Sequence, residues 1–279
     1  MLSGSSLTAA ESSHYDLSGK ERDYAAWSGP PRRSVVLCTL PRSGSTLLGE
    51  AIYFAGGLGC PLEYFHAGFR PRFEELWGVQ SQPDLVAALW RNRTDPSGVL
   101  SAKLMWRDVV DLAIEADPAS FKHWAEAQPH ATDPAAYREL LVFLQHLLPN
   151  PTFIHLFRRD RVRQAVSGVI AEQTGQWRAI AGAEMQRQRD PVYDADAIAR
   201  QIAYVDFSNA HWRNLLAQTG TYIELAYEDL VKDFAGVTSR LLQDLGSSGP
   251  VPEPRMQRQA NIHSEQFVLR YLMEHARQA

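Results

Sequence analysis

Pro41-Arg42-Ser43-Gly44-Ser45-Thr46 brings a guanidinium, three hydroxyls and a glycine together in six consecutive residues. A loop whose backbone N–H groups open into a helix N-terminus attracts anions, because the unpaired donors and the dipole act together. Gly44 allows φ > 0 and close approach of a ligand. Arg42 adds a fixed cation that can make paired bonds to an oxyanion. The chemistry is binding of a phosphate or similar ester. The loop is not the GxxxxGK[ST] of nucleoside triphosphatases, because no Gly-Lys-Ser/Thr is present to supply the lysine and the Mg²⁺ ligand. A different phosphate-bearing donor is expected.

Arg158-Arg159-Asp160-Arg161-Val162-Arg163 holds four arginines in six residues. That is a concentrated positive field on a chain of net charge −4. Arg158 ends a predicted strand, where ligands of open α/β sheets bind, whereas Arg161 and Arg163 read as a solvated helix face. Glu63 lies between Pro61 and the aromatics Tyr64 and Phe65. A carboxylate in apolar surroundings is a stronger base and can deprotonate a hydroxyl. The nine histidines are scattered, with no HExxH and no CxxC, so no metal site is expected.

These residues need elements to hold them. Ser34–Leu40 is a short apolar run, read as a strand buried on both faces. After it, Thr46 to Gly56 has helical spacing, giving strand, tight loop, helix. Further strands are predicted at Val99–Trp106, Thr152–Arg158 and Thr221–Tyr227. Helices are predicted at Ala135–Leu148, Asp160–Glu172, Ile198–Leu216 and Leu230–Leu245, and from about Ser264. Residues 60–80 read as a loop leading to a short helix. Strands alternating with helices imply an α/β layer architecture around a mostly parallel sheet. Residues 1–30 are rich in Ser, Gly, Ala and Glu and read as a flexible or loosely docked tail, leaving residues 31–279 as one domain.

The chain has 279 residues, 45% of them apolar and 22% charged, which excludes a disordered, collagenous or disulfide-stapled protein. A slight acidic excess argues against a dedicated nucleic-acid binder. Two cysteines, no basic-then-apolar leader and no membrane-length apolar run point to the cytoplasm.

Thr39-Leu40-Pro41-Arg42-Ser43-Gly44-Ser45-Thr46-Leu47 resembles the donor loop of sulfotransferases, T-x-P-[KR]-[ST]-G-[ST]-[ST]-x. In that family the loop holds the 5′-phosphosulfate of PAPS, 3′-phosphoadenosine 5′-phosphosulfate. A second family anchor, an Arg at a strand end and a Ser about nine residues on, is matched by Arg158 and Ser167. Other blocks are similar to those of the mycobacterial trehalose 2-sulfotransferase family: Gly59–His66 (G-x-P-x-E-[FY]-F), Ala102–Trp106, His155–Arg158, Gln164–Ser167, Glu172–Arg178, Arg258–Ala260 and Ser264–Tyr271. Together they span about residues 34–273, and residues 67–98 match none of them.

The resemblance implies a P-loop-like three-layer fold and a PAPS-dependent, metal-free transfer. Pro41, Arg42, Ser43, Gly44, Ser45, Thr46, Arg158, Ser167 and Arg258 would hold the donor. Glu63 would be the catalytic base, and Arg42 would stabilise the leaving oxygen. Tyr64, Phe65, Lys103, Trp106 and Trp177 would line the acceptor side. The acceptor would be a carbohydrate, trehalose or a related glucoside first, and the relatives imply a homodimer. A P-loop nucleotide kinase or NTPase and a non-catalytic nucleotide-binding module remain the rival readings.

Overall fold

The computed structural model describes residues 17–177, 189–256 and 262–276. In chain order the elements are β1 (Arg33–Thr39), α1 (Ser45–Ala55), α2 (Arg70–Trp77), α3 (Gln82–Arg93), β2 (Val99–Met105), α4 (Trp106–Ala116), α5 (Pro118–Phe121), α6 (Pro134–Leu147), β3 (Pro151–Phe157), α7 (Arg161–Thr174), α8 (Ala195–Leu216), β4 (Ile223–Ala226), α9 (Tyr227–Lys232), α10 (Phe234–Asp244) and α11 (Ile262–Ala276). The helices start where their sequences supply caps. Ser81, Asp133, Asp160, Asp194 and Asp233 each accept an N–H of the first turn.

The four strands form one parallel sheet in the order β2-β1-β3-β4. Its interior strands are apolar on both faces because helices cover both. On one face Val36, Cys38, Leu100, Ala102 and Leu104 pack with α2, α3, α4, α6 and the end of α8. On the other, Val35, Leu37, Ile154 and Leu156 pack with α1, α9 and α10. The result is the expected three-layer α/β arrangement. A parallel sheet returns every chain crossing to the same edge, so the loops after β1, β2, β3 and β4 share one end of the molecule.

Three readings change. Leu230–Leu245 is two helices, α9 and α10, broken at Asp233, which caps α10. Trp106 does not extend β2 but starts α4. Residues 17–30 are docked, not loose. Arg93 is fully buried and donates to the carbonyls of Leu17 (2.8 Å) and Gly19 (3.1 Å), and its Nε lies 3.0 Å from Asp23 Oδ1. A buried guanidinium needs acceptors for its donors, and the polar tail supplies them.

Candidate functional site

The Pro41–Thr46 loop links the carboxyl end of β1 to α1 and contains two left-handed residues, Arg42 (φ 64°) and Gly44 (φ 84°). The left-handed region costs an arginine about 1–2 kcal/mol, so its surroundings must hold it there. Gln164 Nε2 donates to the Pro41 carbonyl (2.8 Å), Trp212 Nε1 to that of Thr39 (3.2 Å) and Arg158 Nη1 to that of Arg42 (3.4 Å). Gly44 is required twice over, because a Cβ there would sit 2.5 Å from Tyr227 Cδ2. Gly44, Ser45, Thr46 and Leu47 open α1, so their N–H groups have no acceptor within the helix. Ser43 departs from expectation in its side chain. Its hydroxyl is buried, 2.6 Å from that of Thr39, with the Leu40 carbonyl 2.7 Å away. It pins the loop from inside.

The two arginine anchors converge. Arg42 Nε donates to Ser167 Oγ (2.8 Å) and its Nη1 to the Trp177 carbonyl (2.5 Å). The Arg158 guanidinium lies over the Tyr227 ring, 4.8 Å from its centroid, with Nε 3.9 Å from Glu228 Oε1. Burial first, then the charge of Arg158, hold Arg42 down at about 10. It stays a cation at neutral pH, but beside a second cation, a pairing that a dianion relieves. The neighbouring arginines are engaged elsewhere. Arg159 forks onto Asp229 (2.7 and 2.5 Å), Arg161 meets Asp206, and Arg163 joins Asp160 (2.8 Å) and Glu265 (2.6 Å). These are part-exposed pairs of small energetic weight.

Glu63 approaches from the loop after α1, which runs alongside β2. Gly59 (φ 75°) sits so close to β2 that a Cβ would lie 2.7 Å from the Ser101 nitrogen. Gly49 of α1 lets the Pro61 carbonyl come close, 3.2 Å from where a Cβ would be. Leu62 then bridges to Ala102, and Lys103 N–H donates to its carbonyl (2.9 Å). Glu63 Oε1 meets Lys103 Nζ at 2.8 Å. The lysine side chain is 4% exposed and the carboxylate 17%. The expected apolar setting of Glu63 is thus replaced by a buried cation beside a partly exposed carboxylate.

The aromatics divide. Tyr64 and Phe65 point into the core: the Tyr64 hydroxyl donates to the Cys60 carbonyl (2.6 Å) and its ring packs on Phe73 (4.8 Å). Trp106 is buried too, stacked on His211 at 4.5 Å and edge-on to Trp124 and Trp212. These three support the site from behind, because apolar rings gain more from the core than from a wet cleft. Trp177 is 47% exposed beside Arg42. Arg258 lies outside the described residues. Sequence reasoning missed Gln164 and Tyr227, which hold the loop and Arg158. Gln164 sat in a quoted block, but its carbonyl partner lies 123 residues away.

The model of the Stf0 sulphotransferase family matches residues 34–274. The chain belongs to that family. It is a sulfotransferase, and its loop, arginine pair and Glu63–Lys103 pair all fall in the matched range. Trehalose 2-sulfotransferase from Mycobacterium tuberculosis is 32% identical over 270 residues, covering 87% of this chain and 95% of that protein. Trehalose 2-sulfotransferase from Mycolicibacterium smegmatis is 29% identical over 277 residues, covering 88% and 96%. Among the described residues of this sulfotransferase, no group of three or more His, Cys, Asp or Glu is placed to hold a metal ion. No helix among them is long and apolar enough to cross a membrane.

Proposed function

We propose that this sulfotransferase moves the sulfuryl group of PAPS onto a carbohydrate hydroxyl, with trehalose or a related glucoside as the first acceptor. The observation that carries the reading is the convergence of Arg42, Arg158 and Ser167 on the N-terminus of α1, next to the Glu63–Lys103 pair. Two crowded guanidiniums and a row of N–H groups at a helix N-terminus fit a multiply charged phosphate ester. The names of the two relatives support the acceptor.

PAPS supplies the sulfuryl group and departs as adenosine 3′,5′-bisphosphate. Arg42 and the N–H groups of residues 43–46 hold the 5′ end and balance charge on the bridging oxygen as its bond to sulfur lengthens. Arg158 and Ser167 hold the 3′-phosphate, with Arg258 from outside the described residues. Glu63 takes the proton of the acceptor hydroxyl as its oxygen bonds to sulfur. Lys103 orients Glu63 and stands beside the sulfuryl oxygens. Trp177, the exposed aromatic, offers a face to the sugar ring. The catalytic domain spans residues 31–279 and acts as a cytoplasmic homodimer.

Incubation with PAPS and a panel of disaccharides, phenols and steroid alcohols tests this by mass spectrometry, reading the gain of one SO₃. Transfer to trehalose or another sugar is expected. Transfer to phenols or steroids with none to any sugar overturns the acceptor class. Mg²⁺-dependent turnover of ATP in place of PAPS favours the kinase-like rival.

A further inference from the structure

Arg93 is fully buried and is the last residue of α3. Its guanidinium lies 5.9 Å from the ring centroids of Tyr64, Phe73 and Trp77. Its donors reach the segment before β1: Nη1 to the carbonyls of Leu17 (2.8 Å) and Arg22 (3.4 Å), Nη2 to that of Gly19 (3.1 Å). Asp23 ties the arginine to the rings. Its Oδ1 lies 3.0 Å from Arg93 Nε, and its Oδ2 accepts from Trp77 Nε1 (3.2 Å). The N–H groups of Tyr24 and Trp27 donate to the carbonyls of Asn92 and Arg91, both at 2.8 Å. Residues 17–27 are thus a strap along the end of α3, and they precede residue 34, where the family match begins.

Stability alone does not call for this arrangement. Burying an ion pair desolvates both ions, and apolar residues of similar size often fill such a site at no loss. What an arginine adds is direction, because its planar donors fix the angle of each partner as well as its distance. One of those partners is Tyr64, the neighbour of Glu63. The Tyr64 hydroxyl donates to the Cys60 carbonyl (2.6 Å), and the same carbonyl accepts the Leu62 N–H (3.0 Å). Leu62 in turn accepts from Lys103 N–H (2.9 Å), and the Glu63 carbonyl accepts from His66 N–H (3.3 Å). The turn that carries Glu63 is therefore fixed at Leu62 by β2 and at Tyr64 by the Arg93 cluster.

We propose that Arg93 and Asp23 are positioning residues for sulfuryl transfer: the strap, acting through Arg93 and Tyr64, holds Glu63 where it can take the proton of the acceptor hydroxyl. The assignment rests on Glu63 being the base, as proposed above. Arg93 has no exposed surface, so it acts through the turn and not on a substrate. A misplacement of about 1 Å in a reacting group costs on the order of 10²-fold in rate. The donor is proposed to sit on the loops after β1 and β3, which make none of these contacts, so loosening the strap should spare donor binding.

Asp23→Asn and Arg93→Met test this, each made alone and in the Glu63→Gln background, in the full chain with PAPS and trehalose at saturation. Asn offers a single acceptor oxygen, so it cannot serve both Arg93 and Trp77. kcat should fall about tenfold in Asp23→Asn and about 10- to 100-fold in Arg93→Met, with the Kd for adenosine 3′,5′-bisphosphate within about twofold of wild type. In the Glu63→Gln background the same substitutions should change the residual transfer less than about twofold, because the group they place is already gone. A merely structural role lowers transfer by the same factor in both backgrounds, and that result overturns the assignment. So does an unchanged kcat in both single variants. Should Arg93→Met lose bisphosphate binding with its fold, Asp23→Asn decides. Full turnover in Glu63→Gln alone overturns the base reading and this assignment with it, whereas a crippled Glu63→Gln beside unaffected strap variants overturns this assignment only.

Discussion

Glu63 and Lys103 meet at 2.8 Å across adjacent segments. Glu63→Gln keeps the shape and removes the base, so sulfuryl transfer should fall about 10²- to 10⁴-fold. Calorimetry with adenosine 3′,5′-bisphosphate should show donor-side binding intact in the same variant. Full turnover in Glu63→Gln would remove it from the role of base. Arg158 sits with its guanidinium on Tyr227 and one N–H on the Arg42 carbonyl. Arg158→Ala should cost about 1.5–3 kcal/mol in binding of 3′-phosphorylated nucleotides and much less for 5′-AMP. Equal losses for both nucleotides would place Arg158 elsewhere than on the 3′-phosphate.

α8 is the element that ties the site to the core. Trp212 holds the end of β1, and His211 stacks on Trp106 where β2 passes into α4. His211 Nδ1 and the Tyr137 hydroxyl of α6 share a 2.7 Å hydrogen bond, and Nε2 faces the Ala127 carbonyl (3.2 Å). Burial pushes His211 down to about 4, and burial also lowers His155. The unfolded chain therefore takes up protons near the ordinary histidine value of about 6.5, while the folded chain refuses them until lower pH. The stability that comes from keeping His211 neutral is present above 6.5 and is lost as pH falls from there to about 4. Urea midpoints measured across that window should decline in the wild type and decline less steeply in His211→Gln. Parallel slopes would show that His211 titrates alike in both states. At this same end of β1, Gly44→Ala meets both the left-handed backbone and Tyr227, and should weaken bisphosphate binding at least tenfold. Isothermal titration checks it, and unchanged affinity would mean that the loop relaxes without cost.

At the scale of the molecule, the proposed site meets donor charge with Arg42, Arg158 and the α1 N-terminus, so transfer should continue in EDTA; a loss on chelation that Mg²⁺ restores would favour the kinase-like reading. The α/β order, the parallel sheet and the loop after β1 were legible in the sequence because they depend on neighbours along the chain. β-branched runs make buried strands, Ser and Asp cap helices, and Gly44 follows a strand end. The α3 start was legible too, as Ser81 before Pro83, but went unread, whereas the loop leading to a short helix read over residues 60–80 is there with α2 as the helix. What the chain does not announce locally is direction. Tyr64, Phe65 and Trp106 have the composition of a sugar platform, yet Phe73, His211 and Trp212 turn two of them inward from up to 106 residues away. Ser43 lies in a binding motif but bonds within it. Arg42 and Ser167, 125 residues apart, belong to one contact. Residues 17–30 have the composition of a loose tail, yet their carbonyls from Leu17 and Gly19 are taken up by the buried Arg93. Apolar pattern and turn chemistry act over a few residues and survive translation into sequence. Burial free energy and the satisfaction of buried donors are summed over whichever segments the fold brings together, so they settle only when the chain has packed.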